Sequence, residues 1–76
     1  MFPHIVSDPN ILSGKPCVRG TRLSVEFLLE LVASGANRDE IVKAYPQLTS
    51  DDVEEALRYA SHFLKNDVLI SSEVAP

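Results

Sequence analysis

At 76 residues the chain has room for one domain and one core. Its 45% hydrophobic and 24% charged residues fit a globular domain, and it lacks the roughly 18-residue apolar run of a membrane span. A single cysteine, Cys17, excludes an internal disulfide, so a domain this small is expected to draw stability from a second copy or a partner. The net charge of −4 argues against a nucleic-acid binder, but its distribution matters more. The charge is unevenly distributed, however: residues 1–22 hold Lys15, Arg19 and Arg22 against Asp8, whereas residues 23–76 hold four basic and ten acidic side chains.

In chain order, Phe2 to Val6 is a short apolar stretch interrupted by Pro3, suited to an edge strand. Its composition lacks the charged-then-apolar pattern of a signal peptide, which with the lone thiol sets the cytoplasm as the expected compartment. Ser7-Asp8-Pro9-Asn10 is a turn cluster. Ile11 and Leu12 then face Cys17 and Val18 across Ser13-Gly14-Lys15-Pro16, which reads as a β-hairpin with a four-residue loop. Gly20 marks a bulge or a positive φ, and an extra residue there would bring Arg19 and Arg22 to one side.

The stretch from Ser24 to Gly35 predicts a first helix, with Ser24 as N-cap and Gly35 as the residue that closes it. Val25, Leu28, Leu29 and Val32 share one face, and Phe27 and Leu31 widen it, which places this helix at the centre of the core. Asn37 and Glu40 have the spacing of a capping box for a second helix, buried through Ile41, Val42 and Tyr45 and stopped by Pro46. Thr49 caps a third, with Asp51 and Asp52 in its first turn and Val53, Ala56, Leu57, Ala60, Phe63 and Leu64 as its buried face. The fold expected is mainly α: an N-terminal β-hairpin region over 1–23 followed by a helix-turn-helix-like bundle of three helices over 24–64. Together they form a single domain 1–64 with a C-terminal tail 65–76.

Three groups of residues carry functional expectations. Lys15, Arg19 and Arg22 lie close together on a presumed β element, and such a basic ribbon can meet phosphates in a groove or carboxylates on a protein. The bland reading is that they are solvated, or that an arginine pairs with Glu26 or Glu30. The third helix is a poor reader of DNA, because Asp51, Asp52, Glu54 and Glu55 crowd its first turn and phosphates are repelled by them. The tail cluster Val68, Leu69 and Ile70 either adds a strand beside Ile5-Val6 or docks on a partner. His4 and His62 lack ligand spacing with Cys17, and no phosphate loop or catalytic constellation is visible, so neither a metal, a cofactor nor an enzyme is expected. Cys17 reads as a small core residue and His62 as an edge residue of the third helix.

Several motifs occur in order from Asp8 to about Ala60: Gly14-Lys15-Pro16, Arg19-Gly20-Thr21-Arg22, Ser34-Gly35-Ala36 and Tyr45-Pro46-Gln47-Leu48-Thr49. In these the chain resembles the bacterial domain-of-unknown-function 433 family (DUF433). The resemblance implies a homeodomain-like trihelical fold. It also implies the role of antitoxin in a type II toxin–antitoxin pair, neutralising a PIN-like ribonuclease toxin encoded nearby. A homodimer is expected, with operator DNA as a second partner. On this reading Lys15, Arg19 and Arg22 contact toxin or DNA, and Val68, Leu69 and Ile70 form a toxin-binding tail. The alternative is a stand-alone homodimeric DNA-binding transcriptional regulator.

Overall fold

The structure, a computed structural model of the chain, describes residues 2–64. In order it contains β1 (Ile5–Val6), a 3-10 turn (Leu12–Gly14), β2 (Cys17–Val18), α1 (Val25–Ala33), α2 (Arg38–Ala44) and α3 (Ser50–Leu64). No helix among the described residues is long and apolar enough to cross a membrane.

Each helix begins where a side chain satisfies backbone N–H groups that have no partner within the helix. Ser24 Oγ accepts from Phe27 N at 2.9 Å and starts α1. Asn37 and Glu40 form a reciprocal capping box at 2.8 and 2.9 Å and start α2. Thr49 and Asp52 exchange the same pair of bonds at 3.1 and 2.9 Å before α3, whose first turn carries Asp51 and Asp52 at the positive end of the helix dipole. The end of α1 is a Schellman motif: Ala36 N donates to Leu31 O, Gly35 N donates to Val32 O, and Gly35 sits at φ +104°. α2 stops at Ala44 because Tyr45, preceding Pro46, is pushed out of helical geometry to ψ 81°.

The core gathers on α3, which packs against α1, α2, β1 and β2. Val53, Ala56 and Ala60 bury one stripe of α3 against Val25 and Leu28 of α1, Ile41 of α2, Leu48 and Val18. Fully burying a valine, leucine or isoleucine side chain stabilises by about 1.5–3 kcal/mol before entropy is counted. Cys17 is a buried core residue, as expected. α1 was expected at the centre, yet only Val25 and Leu28 are buried in it, while Val32 is 37% exposed. Its main packing partner is the single stripe of α3, too narrow to cover so broad an apolar face. Phe63 departs from expectation in the same way: it is 56% exposed at the last turn of α3 and packs with Tyr59 and His62.

The N-terminal hairpin exists with different strands from those expected. Ile5 pairs with Val18 and Val6 with Cys17, antiparallel, so Ile11 and Leu12 lie in the connection rather than in the sheet. Leu12, Ser13 and Gly14 have φ of +52°, +57° and +87°, and three consecutive left-handed residues cannot continue a strand. They form instead a turn closed by Gly14 N to Ile11 O and Lys15 N to Leu12 O. The turn cluster at Ser7–Asn10 does form, with Asp8 Oδ1 accepting from Asn10 N and Asp8 O from Ile11 N. The expectations for Val68, Leu69 and Ile70 fall outside the described residues.

Candidate functional site

The Arg19-Gly20-Thr21-Arg22 segment is a tight reversal built on β2. Thr21 N and Thr21 Oγ1 both donate to Val18 O, at 3.0 and 2.8 Å. Leu23 N donates to Thr21 Oγ1, and Val18 N to Leu23 O, each at 3.0 Å. Cys17 then bridges Ser24 on the side of β2 away from β1. Gly20, the third residue of the turn, has φ +80°, the sign that position needs in a type II turn. A threonine that both donates and accepts, with a glycine free to take positive φ, makes this turn rigid although every residue in it is at the surface or half-buried. Its two arginines stand exposed.

Arg19 folds back along the N-terminal segment, its Nε and one terminal nitrogen donating to Pro3 O at 2.9 and 2.6 Å. Beside it a cavity of about 300 Å³ is lined by Pro3, His4, Arg19 and Asp52. His4 fastens this segment to the first turns of α3. Its backbone N donates to Glu55 Oε2, its Nδ1 meets Asp52 Oδ1, and its Nε2 faces Glu55 Oε1 at 3.9 Å. The hydrogen bond to Asp52 raises the His4 pKa above its ordinary value; desolvation opposes the shift, and the charges of Glu55, Asp52 and Asp51 add to it. Burial pushes the Asp52 carboxyl upward, but hydrogen bonds from His4 and from Thr49 outweigh it and hold the group below the usual carboxylate range. This clasp was not foreseen. The one hint in the sequence was a histidine in an apolar N-terminal segment set against the acidic run 51–55, with nothing to say that the two would meet.

Lys15 sits elsewhere. It pairs with Glu26 of α1 at 3.1 Å, both side chains well exposed, at the rim of an apolar groove between α1 and α3. Lysine rather than arginine is thus paired with Glu26. Arg22 makes no side-chain hydrogen bond or ion pair among the described residues. The three cations expected to act together are therefore disposed as two on the turn and one at the groove.

α3 spends its basic neighbours on its own acids. Arg38 of α2 and Arg58 of α3 both pair with Glu54. No group of three His, Cys, Asp or Glu side chains placed to hold a metal ion occurs among the described residues.

Residues 5–60 match the model of the family described as "Protein of unknown function (DUF433)". The chain is 38% identical over 56 residues to "Uncharacterized protein y4eO" of Sinorhizobium fredii (strain NBRC 101917 / NGR234), an alignment that covers 74% of this chain and 25% of that protein. The chain thus spans about a quarter of the length of the curated relative it matches. Its fold resembles the crystal structure of a DUF433 member protein from Anabaena variabilis ATCC 29413, with a TM-score of 0.76 and 29% identity over 96% of this chain and 69% of that one.

Proposed function

The chain belongs to the DUF433 family, and from that premise we propose that it is a binding module, the antitoxin of a type II toxin–antitoxin pair. In this reading it neutralises a PIN-like ribonuclease encoded nearby, acting as a homodimer in the cytoplasm. The observation that carries the reading is the rigid turn displaying Arg19 and Arg22 from a body whose remaining surface is acidic.

A guanidinium can engage a carboxylate through two parallel hydrogen bonds, and the turn fixes the backbone from which it projects. A PIN-like active site is expected to be rich in carboxylates that bind divalent metal. An arginine seated among them satisfies their charge and competes with the metal for the same oxygens. Arg22 is the better placed for this, since Arg19 already holds Pro3 O.

Operator DNA is the second partner of the proposal, and the same turn is its contact. α3 offers phosphates Asp51 and Asp52 in its first turn, and its neighbouring arginines are engaged by Glu54.

The test is co-purification of the untagged chain with a tagged form of the protein encoded beside it. A stable complex, and relief of growth arrest when both are expressed, is the result expected. A neighbour without nuclease activity, or no complex through purification, would overturn the antitoxin reading and favour a stand-alone DNA-binding regulator.

A further inference from the structure

Phe2 to Ile5 form a β-turn, closed by Ile5 N donating to Phe2 O at 3.1 Å, with Pro3 at the second position, which its fixed φ suits. The middle peptide group of the turn, Pro3 O and His4 N–H, takes no part in the closing bond and has to find partners outside it. The peptide is trans, so its carbonyl and its N–H point in opposite directions. Each finds a charged group. His4 N donates to Glu55 Oε2 of α3, and Pro3 O accepts from Nε and a terminal nitrogen of Arg19 at 2.9 and 2.6 Å. One planar amide thus lies between a carboxylate and a guanidinium that form no ion pair with each other.

Hydrogen bonds with one ionised partner are the stronger class. An anion on the N–H also polarises the carbonyl toward the cation on its other side, so the two bonds support each other. Glu55 is the firmer of the two grips, because its side chain is only 12% exposed and stands on the helix around which the core gathers. The Arg19 contacts lie at the surface, where water competes for them. Glu55 therefore sets the orientation of the amide, and Arg19 follows it. Phe2, edge-on to Tyr59 with ring centroids 5.2 Å apart, seats the start of the turn on the same helix. Arg19 N donates to His4 O at 2.7 Å, which brings the arginine into line with the segment.

We propose that the Pro3–His4 peptide group is a latch, held by Glu55, that stows Arg19 along the N-terminal segment and leaves Arg22 as the displayed guanidinium. Glu55 is on this account a positioning residue for an arginine with which it forms no ion pair. Withdrawing its carboxylate frees the amide to turn and releases Arg19 to the surface beside Arg22. The bearing of the latch on binding rests on the reading of the arginine turn as a contact surface. The latch itself is tested without a partner, so the two ideas fail separately.

The test measures hydrogen exchange at the Nε–Hε groups of Arg19 and Arg22 by NMR on the full chain, the second arginine serving as internal reference at a single pH. In the wild type, Arg19 Hε should exchange roughly tenfold more slowly than Arg22 Hε, or slower still. Glu55→Gln, which keeps an acceptor but loses the charge, should shrink that ratio, and Glu55→Ala should bring it close to unity. Asp51→Asn removes an equal charge one turn away on α3 and should leave Arg19 protected. The amides of Thr21 and Tyr45, bonded to Val18 O and Ile41 O, should keep their protection in every variant and report an intact turn and α2. Equal exchange of the two arginines in the wild type, or protection of Arg19 that survives Glu55→Ala, would overturn the latch. So would an equal loss in Asp51→Asn (the mark of a general charge effect), or loss of Thr21 protection together with that of Arg19 (the mark of a collapsed turn).

Discussion

Residues 24–64 bury an apolar stripe and satisfy their helix starts within four residues of sequence, whereas residues 2–23 hold only two two-residue strands and are tied to α3 by polar bonds that bridge about fifty positions. The helical part is stabilised by burial and by caps made within a few residues of sequence. The N-terminal part adds Cys17 and Val18 to the core, and its leading segment is held both by Phe2 and Ile5 against Tyr59 and the core and by the polar contacts of His4, Asp52, Glu55 and Arg19. The element that displays the arginines is thus anchored by apolar packing throughout, to which the leading segment adds charges that respond to solution conditions.

The largest effect that separates the two regions is expected in the helices. Leu28→Ala removes a fully buried side chain at the α1–α3 contact and should destabilise by about 2–5 kcal/mol in urea unfolding. A loss below about 1 kcal/mol would show that the stripe is not the main source of stability. Asn37→Ala breaks the capping box of α2 and should cost about 1 kcal/mol, read from the same transition.

The N-terminal clasp is expected to show itself as a pH slope rather than a large loss. A raised histidine pKa means that its contribution is fully present below the ordinary value of 6.5 and is lost as pH rises through the folded-state value. The lowered Asp52 pKa works in the opposite sense: its contribution is present above 3.8 and is lost as pH falls through the folded-state value. The pair therefore stabilises most between those two ordinary values. Thermal melts from about pH 6 to pH 9 should show the melting temperature of the wild type falling more steeply than that of His4→Ala. Parallel slopes would mean that the histidine is not charged by its carboxylate neighbours.

The same contrast explains what could be read from the sequence. Ser24, Gly35, Asn37, Glu40, Thr49 and Asp52 each act on backbone within a few residues, so their identities were sufficient to place all three helices. The hairpin was legible as an element but not in its pairing. Strands of two residues carry almost no alternation, and Leu12 and Ser13 give no sign that they will adopt positive φ. Gly20 gave its sign plainly: of the bulge or positive φ expected there, the positive φ is present, in a tight turn. The central place of α3 was hidden because α1 is the more apolar helix, and apolar content does not say how much surface a neighbour can cover. The clasp was hidden because no local pattern joins His4 to Asp52 and Glu55.

The central claim is that the Arg19–Arg22 turn is the contact surface of a binding module. Arg22→Ala tests it most directly, because that side chain is exposed and makes no polar contact among the described residues, so the fold should be untouched. In calorimetric titration against the proposed nuclease partner, the substitution should weaken binding by roughly tenfold or more, the loss of a charge-assisted hydrogen bond, with the melting temperature unchanged. Affinity equal to that of the wild type, at low and at high salt, would contradict the account.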